Sequence, residues 1–405
     1  MPTASPTAGA TPLAHARELL KRHILIDGDN DLPWEIRTAE AVPGGARDAP
    51  DDLDAYDLRR RTPGQTDLPR LRRGGVGGQF WSVFIPGDIG SGYARMQLEQ
   101  IDLARRMIAR YPRHLELCWS AREVREAFEA GRIASLLGME GGHVIENSLG
   151  TLRAFRALGA RYLTLTHNQN TDWADSATDD AQHGGLTPFG REVVAEMNRL
   201  GMLVDLSHVA PTTMRDALET TEAPVIFSHS SAQALCDVPR NVPDEILQLI
   251  PSNGGVVMVT FVAGFVSPAA AAVIVPAIAE VDKRLAGNKD IAKREAVTRE
   301  IFARLEVPLP PLSAVADHVE HVVRVAGVEH VGLGGDFDGS FYQTDGLRDV
   351  SGYPNLFAEL IRRGWTDGDL ARLAGANVLR VMREAEGVAA RLRKARRGTG
   401  AGASV

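Results

Sequence analysis

A chain of 405 residues, 44% of them hydrophobic, is long enough to bury the core of one large α/β domain or of two ordinary ones. The formal net charge of -7, with 45 basic residues scattered until the last stretch, offers no basic face to nucleic acid, which is set aside as a partner. The opening MPTASPTAGATP lacks the charged start and apolar centre of a secretory leader, and no later run is apolar for long enough to span a bilayer. The expectation is a cytoplasmic protein with no membrane partner.

Residues 1–12 are Pro, Thr, Ala and Gly and read as a disordered tail; 13–388 read as a single domain, and 389–405 as a basic, flexible tail. A helix from Leu13 to about Arg22 leads into a first strand, HILID, followed at once by GDNDLPW. A charged excursion from Glu35 to Arg73 precedes the second strand, GGQFWSVFI, and an amphipathic helix follows from about Tyr93 to Tyr111. Ser120 and Glu123 form a capping box for the next helix. Strand three is IASLLGM, ending in Glu140-Gly141-Gly142-His143; strand four is RYLTLTH, ending at His167. Thr187-Pro188 opens a helix that Gly201 closes. Strands five and six, LVDLSH and VIFSH, end alike, in Ser207-His208 and Ser228-His229. GGVVMVTF is strand seven; after a helical excursion from Ser267 to His330 comes strand eight, HVGLGGDFDG, and a closing helix from about Asp367 to Glu386. The cysteines, Cys118 and Cys236, match no disulfide or zinc-knuckle pattern and read as small buried hydrophobes.

Eight strands alternating with helices are the count of a closed (β/α)8 TIM-type barrel, whose chemistry sits at the carboxyl ends of its strands. Those ends carry Asp29 and Asp31, Glu140, His167, His208, His229 and Asp336. Each alone suits a solvated loop; six strand ends bearing the same small set point to a site for divalent metal, which takes imidazole nitrogen and carboxylate oxygen. Glu140 is the natural bridge between two ions, Asp31 a ligand of one, and His208 and His229 ligands of the other. None of the five lysines falls at a strand end, which disfavours a carbamylated-lysine bridge. A hydroxide held between two such ions attacks carbonyl or phosphoryl centres at neutral pH. His167 suits the oxygen that turns negative, Arg240 a substrate carboxylate, and Asp336 the proton that passes from water to the leaving amine. His143 reads as structural, His318 and His321 as an exposed helical face, and Asp338 as a loop residue.

These residues resemble the renal or membrane dipeptidases. The resemblance runs from IDGDNDLPW through MEGGH, RYLTLTHN with NTDWADS, GLTPFGREVVAEMNRLGMLVDLSHV, PVIFSHSSAQAL, PRNVPD and VGLGGDFDG to GANVLRVM. It implies a metal-dependent hydrolase barrel with a binuclear zinc site that cleaves dipeptides, accepts a D-residue at the carboxyl side, and is commonly a homodimer. It also implies the roles already read for Glu140, Asp31, His208, His229, His167, Arg240 and Asp336. One position departs: the family motif is DGHNDLP, and Asp29 stands where a histidine ligand is expected. A carboxylate there still ligates, and favours manganese or magnesium over zinc at the Asp29/Asp31 position. The rival readings are a related binuclear amidohydrolase with another small amide or ester substrate, and a catalytically weakened barrel used for binding.

Overall fold

The computed structural model describes residues 11–39 and 52–400, with side chains through 395; the expected tail before Thr11, part of the charged excursion (40–51) and residues 401–405 lie outside the described residues. The described strands are β1 (Leu25–Asn30), β2 (Val76–Ser82), β3 (Leu115–Leu117), β4 (Ile133–Glu140), β5 (Ala160–Thr164), β6 (Leu203–Asp205), β7 (Ile226–Phe227), β8 (Val256–Val259) and β9 (Val331–Leu333). They pair in parallel in the order β2-β1-β9-β8-β7-β6-β5-β4, and β2 pairs back onto β4. Eight strands therefore close into the expected (β/α)8 barrel. The unexpected β3 lies outside the closed ring, pairing with Ile133–Ser135 in the space below Leu137, where β5 joins β4.

The period-two rule explains how so apolar a ring is filled. Ile26, Phe80, Leu136, Tyr162, Ile226 and Met258 form one cluster, which also takes in Val378, Val381 and Met382 of the closing helix. Their chain neighbours Leu25, Trp81, Leu137, Leu163, Phe227 and Val257 belong to a second cluster, shared with the surrounding helices. Strand crowding is tightest at the Ser228 carbonyl: a Cβ added at Gly28 or Gly334 would lie 2.2 or 1.8 Å from that oxygen. Only glycine lets β1 and the end of β9 come so close to β7.

The helices start where the sequence signals them. Ser120 and Thr187 accept from Glu123 N and Gly190 N, and Gly201 closes the second helix in the left-handed conformation. The closing helix differs from expectation. It is Asp367–Ala371, a π-turn at Arg372–Ala376, and then Asn377–Gly400, continuing past residue 388, where a flexible tail was expected to begin. No helix among the described residues is long and apolar enough to cross a membrane.

Candidate active site

The barrel brings all eight sequence-predicted residues to one end. Asp29 lies within β1 and Asp31 just beyond it; Glu140 ends β4; His167, His208 and Asp336 follow β5, β6 and β9 by three residues, and His229 follows β7 by two. Asp29, Asp31, Glu140, His208, His229 and Arg240 are buried, while His167 and Asp336 are partly exposed. His208 and Asp336 hold φ of 67° and 55°, a left-handed backbone that is costly for residues with a Cβ and that concentrates at functional sites.

Imidazoles gather around one carboxylate oxygen. Glu140 Oε1 lies 2.7 Å from His208 Nε2, 3.2 Å from His229 Nε2 and 3.9 Å from His167 Nε2. The two facing Nε2 atoms of His208 and His229 are 3.0 Å apart. Burial works against the charge on Glu140, but the imidazoles that face it, His208 first, outweigh it and hold the carboxyl well below its usual range. Burial and the nearby Arg240 keep His208 neutral, and burial pushes His167 down to about 4. Glu140 Oε2 accepts from Ser82 Oγ at 3.2 Å.

A second group contains only oxygen. Asp29, Asp31 and Asp336 each bring a carboxylate oxygen within 4.8 Å of the others, as Glu140, His167 and His208 do with their ligand-type atoms. Asp29 Oδ1 accepts from Tyr162 Oη at 2.5 Å, but Asp29 Oδ2 and Asp31 Oδ1 are buried without a hydrogen-bond donor. Burial first, then mutual repulsion with Glu140 and Asp336, raises Asp29 and Asp31 well above the carboxylate range. Burial lifts Asp336 to about 6, Glu140 adding to the rise and His229 and Arg240 opposing it. Buried carboxylates this close, with acceptor atoms unsatisfied, are what divalent cations stabilise. The donor sets fit two unlike positions, one of oxygen and one of mixed nitrogen and oxygen.

Arg240 is the cation beside them. Its Nη1 and Nη2 reach Ser230 Oγ and the His229 carbonyl only at 3.5 and 3.4 Å, and its Nε has no acceptor. The guanidinium lies 5.1 Å from the Phe265 ring centroid, an apolar seat that keeps it desolvated.

Other expectations resolve differently. His143 joins neither group: its Nε2 meets the Ile85 carbonyl at 3.1 Å, and burial takes it down to about 3. His318 and His321 are not an exposed face. They are 1% and 7% exposed, His318 joining Ala232 N to the Val266 carbonyl and His321 meeting Asp244 at 2.8 Å. Asp338 is a loop residue, as expected, partly exposed and accepting from Gln65 N. Both cysteines are buried, as expected.

The sequence reading passed over three groups that support the site. Asp27, in the same IDGDND run, accepts from Gln79 Nε2, Gly335 N, Asp29 N and Tyr353 Oη, and burial lifts it to about 6. Tyr162 is an inward position of β5 that reaches Asp29. Asp205, inside LVDLSH, receives four donors. For the two aspartates the available signal was a charge inside an apolar strand, which a core tolerates only when it is fully hydrogen-bonded.

A (β/α)8 barrel with imidazoles and carboxylates converging at the carboxyl ends of its strands is the fold of a metal-dependent hydrolase. Residues 13–396 match the membrane dipeptidase family, peptidase family M19, and the chain belongs to that family. It is 42% identical over 379 residues to Dipeptidase 3 of Mus musculus, covering 92% of this chain and 66% of the mouse protein. The match to Dipeptidase 3 of Rattus norvegicus is also 42% over 379 residues and covers 67% of the rat protein, so the chain spans about two thirds of the length of these relatives. The crystal structure of the probable dipeptidase PvdM from Pseudomonas aeruginosa superposes with a TM-score of 0.78 at 26% identity, covering 93% of this chain and 99% of that one.

Proposed function

We propose that this protein hydrolyses the amide bond of dipeptides, L,D members included, with two divalent metal ions per chain. The observation that carries the proposal is the meeting of His208 and His229 on one oxygen of Glu140, beside the all-oxygen group of Asp29, Asp31 and Asp336. Glu140 would serve both positions; His208 and His229 would hold zinc, and Asp29 with Asp31 would hold zinc or the harder manganese or magnesium. When bound, the ions generate a nucleophile from water near neutral pH and polarise the amide carbonyl.

The remaining work belongs to the chain's own side chains. Arg240, desolvated and with an unsatisfied Nε, receives the free carboxylate of the dipeptide. His167, kept neutral by burial, donates a hydrogen bond to the oxygen that becomes negative. Asp336, lifted to about 6, takes a proton from water and delivers it to the leaving amine. Tolerance of a D-residue and a homodimeric state rest on the motif resemblance alone.

The test is a library of L,L and L,D dipeptides, with free and amidated carboxyl ends, set beside metal analysis of the purified chain. About two ions per chain with turnover of free dipeptides is the expected result. A stable chain that binds no zinc or manganese and turns over no dipeptide would leave a binding barrel as the answer, and turnover confined to substrates without a carboxylate would leave another amidohydrolase.

A further inference from the structure

We propose that Asp205 and Ser228 act as one positioning relay that fixes the proton of His229 on Nδ1 and so leaves its Nε2 lone pair facing Glu140. Asp205 is wholly buried at the end of β6, beside Thr164 of β5 and Ile226 of β7. Its Oδ1 accepts from the backbone N–H groups of Ser207 and Ser228, at 3.2 and 2.8 Å. Its Oδ2 accepts from the hydroxyls of Thr164 and Ser228, the latter at 2.7 Å. Four donors converge on the two oxygens, so the carboxylate acts only as an acceptor.

Counting protons then decides the tautomer. The Ser228 hydroxyl has one proton and gives it to Asp205, so toward His229 Nδ1, 2.9 Å away, it offers only a lone pair. The contact is a hydrogen bond only if Nδ1 carries the proton. Nε2 is then unprotonated, and it is the atom that lies 3.2 Å from Glu140 Oε1. His208 supplies the complementary proton: its Nε2 donates to Glu140 Oε1 at 2.7 Å and faces the free Nε2 of His229 at 3.0 Å. Backbone placement belongs to the same assembly, because Ser207 Oγ accepts from the His229 N–H at 3.0 Å. The contrast with His208 is sharp, since its Nδ1 is buried with no partner. The two matched Ser-His sequences are therefore unequal: His229 is oriented in advance and His208 is not.

The metal arm of this inference rests on the proposed function; the tautomer arm does not. In full-length, metal-free protein labelled with 15N-histidine, His229, assigned by comparison with His229→Ala, is expected to be protonated at Nδ1. In Asp205→Asn the single remaining oxygen stays on the two backbone N–H groups and the new NH2 faces the hydroxyls. Ser228 must then accept from it and turn its own proton toward His229, moving the imidazole proton to Nε2. Zinc(II) affinity, read by competition with a chromophoric chelator, is expected to fall about 10- to 100-fold in Asp205→Asn and in Ser228→Ala. The double variant is expected to be no weaker than the worse single one, because the pair acts as a unit. If Asp205→Asn does not fold, Ser228→Ala and the parent spectrum still decide. Protonation of His229 at Nε2 in the parent, zinc affinity within about twofold of the parent in Ser228→Ala, or additive losses in the double variant would each overturn the relay. Unchanged zinc affinity in His229→Ala would instead overturn the metal reading and leave the tautomer result standing.

Discussion

Acid should loosen the loop that carries His229 and Arg240, and His318 is the residue through which the effect can be isolated. Its ring accepts from Ala232 N at 3.1 Å and meets the Val266 carbonyl at 3.0 Å, so it ties the segment after β7 to the segment after β8. Burial takes its pKa from the usual 6.5 down to about 4. Between those values the unfolded chain binds a proton that the folded chain refuses, so stability is lost as the pH falls through the window. Each pH unit is worth about 1.4 kcal/mol, and the loss reaches about 2.5 kcal/mol by pH 4.5. His318→Gln keeps a donor for Val266 but strips Ala232 N of its acceptor, which should cost about 1–3 kcal/mol at pH 7. Its further loss on acidification should be smaller than the parent's by about 2.5 kcal/mol, because glutamine does not titrate. Urea unfolding of metal-free parent and variant at pH 7 and pH 4.5, followed by tryptophan fluorescence, measures this difference. Other buried histidines, His143 among them, add to both slopes and cancel in the comparison. Equal slopes for parent and variant would refute the reasoning.

Four further outcomes follow from the site. His208→Ala and His229→Ala should each abolish turnover and lose an ion; elemental analysis showing two ions with normal turnover would remove both from the metal site. Arg240→Ala should lower kcat/KM for free dipeptides by about 10- to 150-fold, the loss of a charge-assisted contact, chiefly through KM. Equal turnover of acid and amide by the parent would show that Arg240 holds no carboxylate. Asp336→Asn should keep both ions and lose most turnover, since an amide of the same shape transfers no proton; loss of metal would make Asp336 a ligand. Asp29→His should tighten zinc at the all-oxygen position and shift the acidic limb of the pH–rate profile downward, and no change in metal content or profile would mean that Asp29 touches no metal.

The barrel was legible because a strand buried on both faces reads as a short apolar run, and ligand-type residues recur just past such runs. The resemblance to membrane dipeptidases rested on long ordered motifs and is borne out by the family match. What escaped has physical reasons. β3 is the triplet Leu-Glu-Leu, too short for periodicity and held in place by β4 rather than by its own pattern. His318 and His321 were read as polar and therefore outward. Yet Val315, Val319 and Val322 define the buried stripe of their helix, and both rings fall on it with hydrogen-bond partners provided. The π-turn that interrupts the closing helix has no proline or cap to announce it. Asp205 was hidden inside the stretch that attracted most notice, because Ser207-His208 and Ser228-His229 drew the eye to the strand ends. Its role depends on the register between β6 and β7, which one strand's residues do not contain.

The two glycines that crowd the Ser228 carbonyl bear on how such a site can diverge. Beneath the imidazoles the barrel is closed by main chain against main chain, so even one methyl group at Gly28 or Gly334 would have to push strands apart. Mutational drift there is close to forbidden whatever reaction the barrel performs. The segments after β7 and β9, by contrast, bring Arg240 and Asp336 to the site from loops. A search for new substrate preference, in the laboratory or over evolutionary time, has almost nowhere to move in the floor and ample room at the rim. Descendants of such a chain would keep its glycines long after they had exchanged its chemistry.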